Sequence, residues 1–316
     1  MTLTDVVAAL DAGTNTLRLL IAGRTGDGRL VELNRQLRFV GLGQGVSVSG
    51  RFAPEAMARA WAAIDEYRSL IVRHDAGRVR FVATSAARDA ANRDEFFAGV
   101  TQRLGIRAEL ISGDEEARLS FGGALAGADL DGPGAVLVMD SGGGSTELVR
   151  GDASGRVYEA VSLDIGSRRL REGKLLADPP TADQIAAARA VVNRLLDTAA
   201  VGLDRVGSFI GVAGTVTSMA AVNLGLTGYD RKRVHASRMT VAQVAELADR
   251  LLAMTASEVA ALGPVAPDRA RVLASGALIV AEVAGRVGVD LQVSETDILD
   301  GIAHSIFEEG RGQRLG

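Results

Sequence analysis

A chain of 316 residues, 47% of them apolar, is long enough for two packed domains and too apolar to be disordered. The absence of cysteine excludes disulfides, a thiol nucleophile and thiolate metal sites, and suits the cytoplasm. A net charge of −4 and only 4% aromatic residues argue against nucleic acid as a partner, so any polyanion must bind in a local basic groove.

The opening MTLTD carries an acid and no base, unlike a signal peptide, and no apolar run reaches the length of a membrane span. The protein is therefore expected to be soluble and to have no membrane partner. Strands are predicted at about Val6 to Leu10, Leu17 to Ala22 and Leu30 to Val40, an antiparallel meander with GDG at Gly26 to Gly28 as a turn. A helix follows over about Pro54 to His74, started by its proline, with Met57, Trp61, Ile64 and Leu70 on one stripe and His74 as a surface residue at its end. Val79 to Ala83 reads as a strand leading into Thr84, Ser85 and a helix that carries Arg88. An arginine so close to a strand's carboxyl end can reach a cleft, although a solvated helix arginine explains it as well. After a short strand, Ala108 to Ile111, the segment SGDEEARLSF holds an S-x-x-E capping box of Ser112 and Glu115. Glu116 lies in the same first turn as either a candidate general base or simple compensation of the helix dipole.

AVLVMDSGGGSTELV, Ala135 to Val149, reads as strand, tight loop, strand. Gly142, Gly143 and Gly144 lack Cβ atoms, so their backbone N–H groups can approach an anion together, and Ser145 and Thr146 add hydroxyls. Asp140 and Glu147 flank the loop with negative charge, which repels a phosphate unless a divalent cation intervenes. Taken alone, the loop is equally an ordinary glycine-rich hairpin. DAGTNTLR, Asp11 to Arg18, repeats its grammar: aligning Asp11 with Asp140 sets Gly13 on Gly142 and Thr16 on Ser145, each copy between apolar strands. The pattern implies a duplication, and two such loops facing each other would grip a polyanion from both sides.

Val157 to Val161 supplies the third strand of a second meander, followed by the basic cluster Arg168, Arg169, Arg171 and Lys174. A helix is predicted over Thr181 to Ala200 and a strand over Ser208 to Val212. The latter opens into GVAGTVTSMAAV, where Gly214 and Thr215 either donate to an anion at a helix N-terminus or form a plain strand-to-helix turn. RKRVHASR, Arg231 to Arg238, is a second basic cluster. With three histidines and no H-x-x-x-H spacing, zinc is not expected, and His235 reads as a polar substrate or surface contact. Helices at about Val241 to Ala253, Ala256 to Leu262 and Asp268 to Val287, a strand Leu291 to Val293 and a helix Thr296 to Glu308 close the chain, with the final GRGQRLG expected to fray.

The ordered motifs DAGTNTLRLLIA, FVATSAARDAANRDEF, ISGDEEARLSF, VMDSGGGSTELV, SLDIGSRRL, GVAGTVTSMA and VSETDILDGI resemble those of the exopolyphosphatase and guanosine pentaphosphate phosphohydrolase (Ppx/GppA) family of the actin-like ATPase superfamily. The resemblance runs through nearly the whole chain and is closest to the short, two-domain form. It implies an α/β protein of two RNase H-like (actin-like ATPase) domains with an interdomain active-site cleft, residues 1–117 and 118–295, the helix of about 296–316 returning to the first; a homodimer is also implied. The activity it implies is hydrolysis of terminal phosphoanhydride bonds of inorganic polyphosphate, or alternatively of pppGpp to ppGpp. Carried onto this sequence, it makes Glu116 the base for the attacking water and Arg88 a contact to the terminal phosphoryl group, with Mg2+ or Mn2+ on Asp140 and Glu147, helped by Asp11. Gly13, Thr14, Asn15, Thr16, Gly142, Gly143, Gly144, Ser145, Gly214 and Thr215 would cradle phosphates. Arg168, Arg169, Arg231, Lys232, Arg233, His235 and Arg238 are candidates for guiding the rest of the chain. Thr14 and Thr16 stand where the family mostly has serines, and Ser141, Val216 and Ser218 also depart from its pattern. An actin-like sugar or acid kinase and a non-enzymatic polyphosphate or alarmone sensor are further readings of the same loops; a water-activating Glu116 weighs against the first and the full set of acids against the second.

Overall fold

The computed structural model describes residues 3–26, 28, 30–126, 128, 130 and 134–315. The chain divides into two compact units, Met1–Leu119 with Ile298–Gly316, and Ser120–Asp297. In chain order the first half runs β1 (Leu3–Ala12), β2 (Thr16–Thr25), β3 (Leu30–Phe39), α1 (Val46–Ser49), α2 (Pro54–Arg73), β4 (Arg78–Ala83), α3 (Ser85–Asp89), α4 (Arg93–Leu104), β5 (Glu109–Leu110) and α5 (Gly113–Leu125). The second runs β6 (Ala135–Ser141), β7 (Thr146–Gly151), β8 (Val157–Leu163), α6 (Ser167–Gly173), α7 (Ala182–Asp197), β9 (Val206–Val212), α8 (Ala213–Asn223), α9 (Arg231–Val234), β10 (Arg238–Met239), α10 (Val241–Leu252), α11 (Ala256–Ala260), α12 (Pro267–Val287), β11 (Leu291–Val293) and α13 (Ile298–Glu308). Asp27, at the centre of the expected GDG turn, lies outside the described residues.

In the first unit the strand order is β3-β2-β1-β4-β5, an antiparallel meander extended by two strands parallel to β1. β1 is apolar from Val6 to Leu10, where both its faces are covered. Ala8, Leu10 and Ala12 pack with residues of α2 and α4, and Val7 and Ala9 with Ile298, Ile302 and Ile306 of α13. Proline at the start of α2 costs nothing there, since its missing N–H lies in the unbonded first turn.

The second unit's sheet has the order β10-β11-β9-β6-β7-β8. Without β10, this is the order of the first sheet: β6, β7, β8, β9 and β11 stand where β1, β2, β3, β4 and β5 do. The duplication inferred from one loop motif thus extends to the topology of both units. β10, a two-residue edge strand, has no counterpart among the described strands of the first unit and no sequence signal. A capping box at Thr181 and Gln184 begins α7, whose buried residues join those of α8, α10 and α12 in one core.

Three segments differ from expectation. The segment after Thr84 is two helices, because the Asn92 side chain bonds both backbone groups of Phe52, at 2.8 and 3.1 Å, and breaks the run. Ser112 accepts from the Glu115 N–H at 3.2 Å, but the Glu115 carboxylate turns to Arg80 and Arg311, so only half of the capping box forms. Of the C-terminal GRGQRLG, the described residues 310–315 are held rather than frayed. Gln313 exchanges both backbone hydrogen bonds with Val79, at 2.7 Å each, its side chain bonds the backbone of Arg107, and Leu315 packs on the core. Backbone pairing across such a sequence separation leaves no local pattern to read.

Candidate active site

Each glycine loop closes the hairpin between two strands, and the two loops share one internal bond. The Gly13 N–H donates to the Thr16 carbonyl at 3.0 Å, and the Gly142 N–H to that of Ser145 at 3.1 Å, the positions aligned by sequence. In both loops the carbonyls are occupied by a following segment. The Thr14 carbonyl accepts from Gly43, and that of Asn15 from Val40 and Gly41, at 2.8 to 3.1 Å. In the second unit the Gly142 carbonyl accepts from Ser167, that of Gly143 from Arg168 and Arg169, and that of Gly144 from Arg169 Nε. Tying the carbonyls back keeps the negative end of these peptide dipoles away from an anion. The fit leaves no spare volume. A Cβ on Gly43 would lie 2.4 Å from Thr14 Cγ2, and one on Gly166 would lie 2.5 Å from the Gly143 carbonyl carbon. The methyl of Thr14, where the resemblance expects serine, is thus accommodated by the absence of a side chain at Gly43.

The loops differ in charge. Asp140, Glu147 and Ser162 lie directly opposite one another across β6, β7 and β8, and Asp11, Arg18 and Leu37 occupy the equivalent row in the first unit. Arg18 Nε and Nη2 donate to Asp11 Oδ2 at 2.9 and 2.7 Å, so a guanidinium already neutralises that acid. In the second unit the same position is a second carboxylate. Asp140 and Glu147 are both buried, Asp140 accepting from Ser120 Oγ and Glu147 from Ser162 Oγ, each at 2.7 Å. Two like charges in one buried row are unfavourable unless a proton or a cation compensates one of them. Among the described residues no three acidic or histidine side chains gather into a cage. The donor set still fits Mg2+ or Mn2+, hard cations commonly held by one or two carboxylates together with substrate phosphates.

Glu116 and Arg88, distant in sequence, meet in the first unit. Arg88 Nη1 donates to Glu116 Oε2 at 2.8 Å and to the Ile111 carbonyl at 3.1 Å, and Glu116 is largely buried. Thr84 and Ser85, at the start of α3, are buried beside β1, the Thr84 N–H donating to the Ala12 carbonyl.

The third predicted cradle begins α8. Ala213 adopts a left-handed backbone, φ 68°, and the Arg269 guanidinium covers Gly214 so closely that a Cβ there would lie 2.3 Å away. Thr215 is buried against Gly276. The basic residues divide. Arg169 is fastened to the second loop, whereas Arg231 Nε pairs with Glu295 at 3.0 Å, and Glu295 also accepts from the Tyr229 hydroxyl. His235 Nδ1 accepts from the Glu295 N–H at 3.2 Å, which gives it a structural bond in this cluster. Lys232, Arg233 and Arg238 are exposed.

The sequence motifs assigned no role to the segment Gly41–Gly45, to Gly166 within SLDIGSRRL, or to Arg269. For the first two a signal existed: once the repeat is aligned, GLGQG after β3 and DIGS after β8 follow the third strand of each copy. Arg269 had none, since PDRAR reads as an ordinary helix start.

A family model described as the Ppx/GppA phosphatase family matches residues 21–296. Exopolyphosphatase 2 of Mycobacterium tuberculosis (strain ATCC 25618 / H37Rv) is 46% identical over 316 residues, which cover 95% of this chain and 98% of that protein. Among solved structures, an exopolyphosphatase-like protein matches with a TM-score of 0.90 at 39% identity, covering 97% of this chain and 99% of that one. The Aquifex aeolicus member of the Ppx/GppA family matches with a TM-score of 0.82 at 29% identity, covering 98% and 99%. The chain shares the two-domain, actin-like fold of these Ppx/GppA structures. The chain belongs to the Ppx/GppA phosphatase family and is a phosphoanhydride hydrolase.

Proposed function

We propose that the chain is an exopolyphosphatase, which hydrolyses the terminal phosphoanhydride bond of inorganic polyphosphate and releases orthophosphate. The observation that carries this reading is the second unit's loop, a run of glycines with its carbonyls tied back, set between the buried and directly opposed Asp140 and Glu147. The likeness to the mycobacterial exopolyphosphatase supports polyphosphate as the substrate.

Asp140 and Glu147 are the proposed ligands of Mg2+ or Mn2+. Asp11, already paired with Arg18, has the lesser claim. Bound there, the cation neutralises charge on the phosphoryl oxygens. Thr14–Thr16 and Gly143–Ser145 donate to terminal phosphates, the Gly13 and Gly142 N–H groups being engaged by the Thr16 and Ser145 carbonyls, with Gly214 and Thr215 as further donors. Glu116 is the general base. The water oxygen bonds to the terminal phosphorus, its proton passes to the Glu116 carboxylate, the bridging P–O bond breaks, and the shortened chain leaves as an oxyanion. Arg88 orients Glu116 in the absence of substrate and offers its other donors to the transferred group. The exposed Lys232, Arg233 and Arg238 are proposed to guide the remaining chain.

The test is orthophosphate release by the purified protein with Mg2+, using short and long polyphosphate, pppGpp and ATP. Release from polyphosphate is expected. Cleavage of pppGpp alone would favour the guanosine pentaphosphate reading, and binding of polyphosphate without cleavage would make the chain a sensor. Gly166→Ala should lower kcat/KM for polyphosphate by about 100-fold, because a new methyl displaces the loop by a large fraction of an ångström. Far-UV circular dichroism should stay unchanged. Full activity in this variant would remove the loop from the mechanism.

A further inference from the structure

Two serines hold the two carboxylates of the second unit, and their placement is not explained by folding alone. Ser120 on α5 is completely buried, and its hydroxyl donates to Asp140 Oδ2 at 2.7 Å. A buried helical serine ordinarily satisfies itself on a carbonyl of the preceding turn. Ser275 and Ser305 in this protein do so, donating to Val272 and Ile302 at 2.7 and 2.6 Å. Ser120 instead commits its proton to the acid on the neighbouring strand. Ser162 on β8 donates to Glu147 Oε1 at 2.7 Å from the position directly opposite in register. At the equivalent row of the first unit, where Arg18 replaces the second acid, the matching position is Leu37. Hydroxyls therefore accompany the pair of acids.

We propose that Ser120 and Ser162 are positioning residues for a divalent cation, each fixing the rotation of one ligating carboxylate. The inference rests on the assignment of Asp140 and Glu147 as the cation ligands. An ionised carboxylate only accepts hydrogen bonds, so each serine is necessarily the donor, and one oxygen of each acid is pinned by it. The torsional freedom that the acids would otherwise regain on losing the cation is removed in advance. Partners of this kind, one bond removed from the metal, are worth 10- to 100-fold in metal affinity.

The experiment is a Mn2+ titration of the full-length chain without substrate, with free Mn2+ read by electron paramagnetic resonance, for wild type, Ser120→Ala, Ser162→Ala and Ser162→Thr. Wild type should bind Mn2+. Each alanine variant should bind about 10- to 100-fold more weakly, and threonine at 162, which keeps the hydroxyl in a residue suited to a strand, should recover affinity to within a few-fold. Ser162 is half-buried on an edge strand, so its variants test the idea even if Ser120→Ala folds poorly. Wild-type affinity in both alanine variants would overturn the positioning role and leave the cation site standing. A wild-type chain that binds no Mn2+ would overturn the ligand assignment and this inference with it.

Discussion

Glu116→Gln is expected to lower orthophosphate release from polyphosphate by about 10²- to 10⁴-fold, the range a positioned general base contributes. The amide keeps the shape of the side chain and an oxygen that accepts from Arg88 Nη1, now 2.8 Å from the carboxylate, so the local fold should persist. What it loses is the ability to take a proton from water. Polyphosphate affinity, measured by equilibrium binding, should therefore change only a few-fold. A fall in affinity equal to the fall in turnover would mean that Glu116 binds substrate rather than activating water. Undiminished turnover would remove it from the mechanism.

The largest expected effect on stability comes from its sequence neighbour. Arg80, in the middle of β4, is completely buried and donates to Glu109 at 2.9 and 3.1 Å, to Glu115 at 2.6 Å and to Ser305 Oγ at 2.8 Å. Burial pulls its pKa down, but the hydrogen bonds and charges of Glu109 and Glu115 outweigh that and raise it above the ordinary arginine value. The double substitution Glu109→Gln with Glu115→Gln leaves a buried guanidinium without a counter-charge and should cost about 3–5 kcal/mol. Arg80→Leu should cost less, because each stranded carboxylate is 34% exposed and can be rehydrated. Urea unfolding of the three proteins checks the order. A double variant as stable as wild type would mean that water or other groups replace the acids. Glu115 and Glu116 thus do different work: one buttresses β4 and the C-terminal segment, the other faces Arg88.

Much of the fold was readable because it is encoded locally. Runs such as AVLVM and VVAAL announce strands covered on both faces, Pro54 and Thr181 announce helix starts, and the spacing of DAGTNT against DSGGGST announces two copies of one loop. The same alignment placed Arg18 on Glu147, so even the charge difference between the loops was present in the sequence. Its meaning was not, because a basic residue in an alternating strand has no assigned partner until register sets Asp11 beside it. Helix α5 illustrates the limit more sharply. DEEAR offers three acids within one turn, and nothing in their spacing says which meets Arg80 and which meets Arg88.

The sequence by itself determined the apolar periodicities, the glycine loops, their flanking acids and their repetition, since each depends on residues a few positions apart. The tertiary structure alone decided which groups those loops lean on: Gly43 under Thr14, Gly166 under Gly143, Arg269 over Gly214, Ser120 on Asp140, and Gln313 on Val79. These partners are separated by 20 to more than 200 residues, as in the pairs Ser120–Asp140 and Val79–Gln313. The physical reason is that strand register and helix packing, which bring them together, are settled by the whole core and leave no periodicity of their own in the chain.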